Sequence, residues 1–116
     1  MKEYVLLFRM DITTENAQPT AEQMLDYMNS WMKWIVSIAS TGQLAEGGHH
    51  FSTAGKVVKP SNVKIDGPYV ADKESVAGYI IVWAKDMDDA LSIAQNCPIL
   101  GGEGTSVEIR ETATPG

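Results

Sequence analysis

The chain has 116 residues, 44% of them hydrophobic and 21% charged, with a formal net charge of -6. That is the composition of one globular domain, which at this length hides roughly two-thirds of its unfolded surface and needs neither disulfides nor a metal to stand. Such an acidic surface repels phosphate backbones and excludes a general nucleic-acid binder; Lys56, Lys59 and Lys64 are spread along one hairpin rather than clustered.

Residues 3–9 are β-branched, aromatic and aliphatic in a short run, which predicts a buried first strand. The polar stretch 11–19, closing on Pro19, predicts a loop. A helix follows: Thr20 and Gln23 form a capping-box pair. Met24, Met28, Trp31, Ile35 and Ile38 share one stripe, while Asp26, Ser30, Lys33, Ser37 and Ser40 share the opposite one. Gly42 stands where a left-handed C-terminal cap is needed.

Residues 43–51 and 55–59 suggest hairpin strands around Ser52-Thr53-Ala54-Gly55, with Pro60-Ser61-Asn62 as a breaker and a brief strand at 63–65. The charged stretch 70–75 predicts a loop, and 76–84 a strand apolar on both faces, hence central in a sheet. Asp86 begins a second helix with Asp89 in its first turn; Met87, Ala90, Leu91 and Ala94 are its expected buried stripe, and Pro98 ends it. Residues 105–111 alternate as a half-exposed last strand.

This order is β-α-β-β-(short β)-β-α-β. Two helices cover one face of such a sheet, so the fold class expected is α+β, ferredoxin-like with an inserted β-hairpin. The uncovered face, apolar along 76–84, is expected to meet a second copy of the chain, giving a homodimer with sheets face to face.

Cys97 is the only cysteine, so no internal disulfide forms, which fits a reducing compartment. The apolar run after Met1-Lys2-Glu3 is too short for a signal peptide, and no stretch reaches the length of a membrane span. The expected address is the cytoplasm, with no membrane, nucleic acid, metal or cofactor.

The candidate functional point is Asp66-Gly67-Pro68-Tyr69, whose residue types also make a turn. This segment, followed by Lys73-Glu74, Gly78-Tyr79 and Asp86-Met87-Asp88-Asp89-Ala90, resembles the YCII-related family, DGPF-domain branch. Trp34, Gly42-Gln43-Leu44, Gly47-Gly48, Asn96-Cys97-Pro98 and Ser106-Val107-Glu108-Ile109-Arg110 extend the resemblance over nearly the whole chain, in order. It implies a dimeric α+β barrel with a cleft at the sheet face and the motif Asp as a functional residue. It also implies a His–Asp pair whose His lies on the first helix. Residues 20–41 contain no histidine, so only the Asp half carries over, onto Asp66.

His49 and His50 are the only imidazoles that could replace the missing one. On a regular strand Glu46 shares its face with His50, whereas a bulge at Gly47-Gly48 puts it with His49. Two functions follow. One is a cofactor-independent acid–base enzyme of isomerase or lyase type acting on a small apolar or aromatic molecule, with Asp66, His50 or His49 as catalytic groups and Tyr69, Trp34 and Tyr79 lining its pocket. The other is a non-catalytic small-molecule-binding or regulatory module, transcription-associated as the resemblance implies, in which Asp66 serves the turn alone. Trp31, Trp34, Tyr79 and Trp83 also read as core or interface residues, and Cys97 as a small buried apolar one.

Overall fold

The computed structural model describes residues 1–14 and 20–113. Its elements are β1 (Lys2–Asp11), α1 (Ala21–Ser40), β2 (Leu44–His50), β3 (Lys56–Lys59), β4 (Val63–Asp66), β5 (Glu74–Ala84), α2 (Met87–Ala94) and β6 (Thr105–Glu111). The main sheet runs β2-β5-β1-β6 with every neighbouring pair antiparallel. Each helix thus links strands that have another strand between them, the ferredoxin-like arrangement. β3 and β4 form a separate two-stranded sheet, the inserted hairpin.

Pleating divides the main sheet. Tyr4, Leu6 and Phe8 of β1, with Ile80, Val82 and Ala84 of β5, turn to the helices and are buried. Val5, Leu7, Tyr79 and Ile81 point the other way and stay partly exposed. Trp31, Trp34 and Ile38 from α1, Ala90 and Ala94 from α2, and Cys97 and Ile99 complete one core. Phe8 is its centre: its ring lies edge-on to Trp31 at 4.8 Å and to Trp34 at 6.0 Å. The Trp34 indole N–H donates to the Ile93 carbonyl at 3.2 Å, so its burial leaves no polar atom unpaired.

The helix ends obey local chemistry. Thr20 and Gln23 make the reciprocal capping box. At the other end Gly42 adopts φ +75°, and the Gly42 and Gln43 amides donate to the Ala39 and Ile38 carbonyls, a full Schellman motif. Asp86 caps α2 through its bond from the Asp89 amide.

Four expectations change. The hairpin is not 43–51 with 55–59: β2 pairs with β5, and Lys56–Lys59 pairs with Val63–Asp66. Pro60-Ser61-Asn62 is the turn itself, because Ser61 and Asn62 take left-handed conformations (φ 66° and 60°) that reverse the chain. On α1, Met24 and Met28 are exposed; the core stripe is Tyr27, Trp31, Trp34 and Ile38, since the aromatic residues offer more apolar area to Phe8. On α2, Met87 and Leu91 are exposed, because the helix approaches the sheet through its small Ala90 and Ala94. The loop expected over 11–19 begins after Asp11, whose carboxylate accepts from the Thr13 and Thr14 amides and hydroxyls. Those bonds, the Thr14 hydroxyl foremost, hold Asp11 well below the usual carboxylate range. Pro19 lies outside the described residues.

Within the stretch expected as loop, Ala71 and Glu74 exchange both backbone hydrogen bonds at 2.9 Å around Asp72 (φ 51°) and Lys73 (φ 69°). This two-residue reversal has positive φ at both central positions, where glycine is favoured at the second. Lys73→Gly is therefore expected to stabilise the fold by about 0.5–1 kcal/mol in urea unfolding. A lower midpoint than wild type would contradict that origin.

A cleft under the Asp66-Gly67-Pro68-Tyr69 loop

The loop after β4 folds back over one end of the main sheet. The Gly67 amide donates to the Gly55 carbonyl at 2.8 Å. The Ser75 hydroxyl, buried at the start of β5, donates to the Tyr69 carbonyl at 2.6 Å. Held at both ends, the loop roofs a cleft of about 660 Å³ lined by Arg9, Pro68, Tyr69, Ala71, Asp72, Glu74, Ser75, Val76 and Ser106. Its floor is the uncovered sheet face, reached because a bulge between Phe8 and Arg9 resets the β1–β5 register so that Arg9 lies opposite Val76.

The polar groups of the cleft are organised. The Arg9 guanidinium donates to Glu108 Oε1 at 2.9 Å, and Glu108 also meets Arg110 at 3.4 Å. The Arg9 bond, reinforced by Arg110, holds the Glu108 carboxyl below its ordinary value. That contribution is present above the ordinary glutamate range and is lost as pH falls through the lowered value. The Ser106 hydroxyl donates to Glu74 Oε1 at 2.6 Å. Among the described residues Arg9 spends one donor nitrogen, on Glu108, and Tyr69, 66% exposed, offers its ring as a wall.

The residues named from sequence fall in five places. Asp66, at the end of β4, is exposed and bonds Lys56 Nζ at 2.7 Å; neither imidazole is among its hydrogen-bond partners. His50 packs on the helix side, its ring 4.9 Å from Trp31. His49 lies opposite Tyr79, with rings 6.2 Å apart, and the Tyr79 hydroxyl donates to Glu46 Oε1 at 2.9 Å. That bond raises the Tyr79 phenol above its ordinary value, with burial and the Glu46 charge adding to it. Trp34 belongs to the core, and of the expected lining residues Tyr69 reaches the cleft.

The bulge alternative is the one realised. The register slips between Glu46 and His49, so Glu46 and His49, not Glu46 and His50, meet on the uncovered face around Tyr79. Glu74 and Ser106 entered the sequence reading only within the family resemblance and Arg9 only within the first strand, because the three come from strands distant along the chain. The one local signal was Arg9 interrupting the apolar run from Tyr4 to Met10.

Burial pushes the Cys97 thiol up to about 12, as expected of a packing residue rather than a nucleophile. Among the described residues no three His, Cys, Asp or Glu side chains gather as metal ligands, and no helix is long and apolar enough to cross a membrane. Compared with known proteins, residues 3–113 match the family model of the YCII-related domain. No curated protein matches the chain.

Proposed function

The chain belongs to the YCII-related family, and from that premise we propose that it is a small-molecule-binding module whose ligand sits under the Asp66-Gly67-Pro68-Tyr69 loop. The observation that carries this is the cleft itself: about 660 Å³, roofed by Tyr69 and floored by Arg9 and Ser106. Small-molecule sites run from roughly 300 to 1,000 Å³ and combine apolar walls with a few fixed polar groups. Glu108 already compensates the Arg9 charge, so the pattern suits a neutral ligand better than an anion. An aromatic or apolar body would lie on Tyr69, Pro68 and Val76, with a hydroxyl or amide group facing Arg9, Ser106 and Glu74.

Binding is favoured over acid–base catalysis because Asp66 pairs with Lys56 rather than an imidazole. In this reading Asp66 shapes the loop, as its residue type allows. A second copy on the uncovered sheet face, where Val5, Leu7, Ile81 and Trp83 are incompletely covered, would also cover the floor side of the cleft.

Amide-resolved NMR titration with neutral aromatic fragments (phenols and benzamides), run beside benzoates, tests the ligand class. Shifts are expected to cluster at Tyr69, Ser75 and Ser106 with the neutral fragments. They should be lost in Tyr69→Ala and retained in Asp66→Ala. Shifts that avoid these residues, or that vanish with Asp66→Ala alone, would overturn the assignment.

A further inference from the structure

The outer side of α1 is not explained by the core or the cleft. Leu25, Met28, Met32 and Val36 are exposed by 61%, 56%, 65% and 62%. Their spacing of three, four and four residues places them on one stripe along the helix. Beside it lie Met24, 41% exposed, and the partly buried Ile35. Four large side chains this bare present on the order of 500 Å² of apolar surface, the size of the largest patch on a soluble domain and one that often marks a contact site.

Charge decides what can cover it. Lys33 is the only basic residue of α1, against Glu22 and Asp26, so the helix lacks the basic flank that seats an amphipathic helix on an anionic membrane. The stripe is instead nearly palindromic about the level of Ser30. An antiparallel copy would set Met28 against Met32, Leu25 against Val36, and Met24 against Ile35. On the other flank it would set Asp26 against Lys33, and neither of these takes part in the ion pairs among the described residues. A twofold axis generates such self-complementary pairing. Two stripes meeting would bury about 1,000 Å² in total, the size at which specific interfaces begin.

We propose that α1 is a self-association surface, which pairs antiparallel with α1 of a second copy through Leu25, Met28, Met32 and Val36. It lies on the helical layer, opposite the uncovered sheet face, so both surfaces can be occupied at once. The pairing does not depend on the sheet-face dimer.

Native mass by light scattering and sedimentation, across micromolar concentrations, tests it with surface variants. Ile81→Glu removes sheet pairing and is expected to leave a dimer held by α1. Met32→Glu is expected to lower the mass to that of the sheet-face dimer alone, and the double variant to be a monomer. Asp26→Lys should raise the dissociation constant of the α1 dimer about tenfold, and adding Lys33→Asp should restore it. An unchanged near-ultraviolet tryptophan spectrum shows that each variant is folded. A Met32→Glu mass equal to wild type, a monomeric wild type, or a charge swap that fails to restore association would each overturn the proposal. A wild-type dimer that survives Ile81→Glu but not Met32→Glu would support α1 pairing while removing the sheet-face dimer.

Discussion

Gly48→Ala is expected to lower the unfolding free energy by about 3 kcal/mol or more, the largest effect of any methyl-sized change in this protein. Two costs add. Gly48 has φ +63°, a conformation that alanine adopts only with strain. A Cβ built there would also lie 1.7 Å from the Tyr79 carbonyl oxygen, a backbone atom that cannot rotate away. β2 is an edge strand, so the chain can relieve the overlap by peeling β2 from β5. That would separate His49 and Glu46 from Tyr79. Urea unfolding gives the energy, and amide exchange at Phe51, whose N–H bonds the Ala77 carbonyl at 2.7 Å, reports the peeling. A variant within 1 kcal/mol of wild type would mean the bulge is dispensable.

Phe8→Ala should cost about 3–5 kcal/mol. Phe8 is 2% exposed and is the ring against which both Trp31 and Trp34 stand edge-on. Its removal opens a cavity between β1 and α1 that neither tryptophan can close without leaving its own partners, since Trp34 is fixed by the Ile93 carbonyl. Domains of this kind are stable by only about 5–15 kcal/mol, so the variant would approach its unfolding transition near body temperature. Phe8→Leu, which refills most of the volume, should cost about 1–1.5 kcal/mol. Equal losses for the two variants would show that the site collapses freely. Tryptophan fluorescence through a thermal melt distinguishes these outcomes.

Both variants probe features that were unequally visible in the chain. The first strand was legible because an apolar run over residues 3–9 needs no distant partner to be recognised, but Val5 and Leu7 are as apolar as Phe8, and only the fold turns Phe8 to the core. The capping box at Thr20, the left-handed Gly42 and the Asp86 cap were legible for the same reason: each is satisfied by atoms within a few residues. The order of elements and the ferredoxin-like class followed from these local signals.

The α1 core stripe was harder, because that helix is apolar over more than half its circumference. Periodicity then allows two stripes, and only the position of Phe8 selects Trp31 and Trp34 over Met24 and Met28. The β3–β4 hairpin was missed because Pro60 reads as a breaker, whereas Ser61 and Asn62 accept left-handed angles that residue type alone does not fix.

What the sequence by itself determined was local: the helix ends, the strands, and the break in regular structure at Gly67 after Asp66. Tertiary structure alone decided the candidate site. The cleft joins Arg9, Tyr69, Glu74 and Ser106, whose meeting depends on strand register and on bulges at Phe8/Arg9 and Glu46/His49. Side chains alternate along a strand with a period of two, so a shift of one residue moves every group to the opposite face. That is why Glu46 stands with His49 rather than His50, while Tyr69, in the loop beyond β4, lines the cleft.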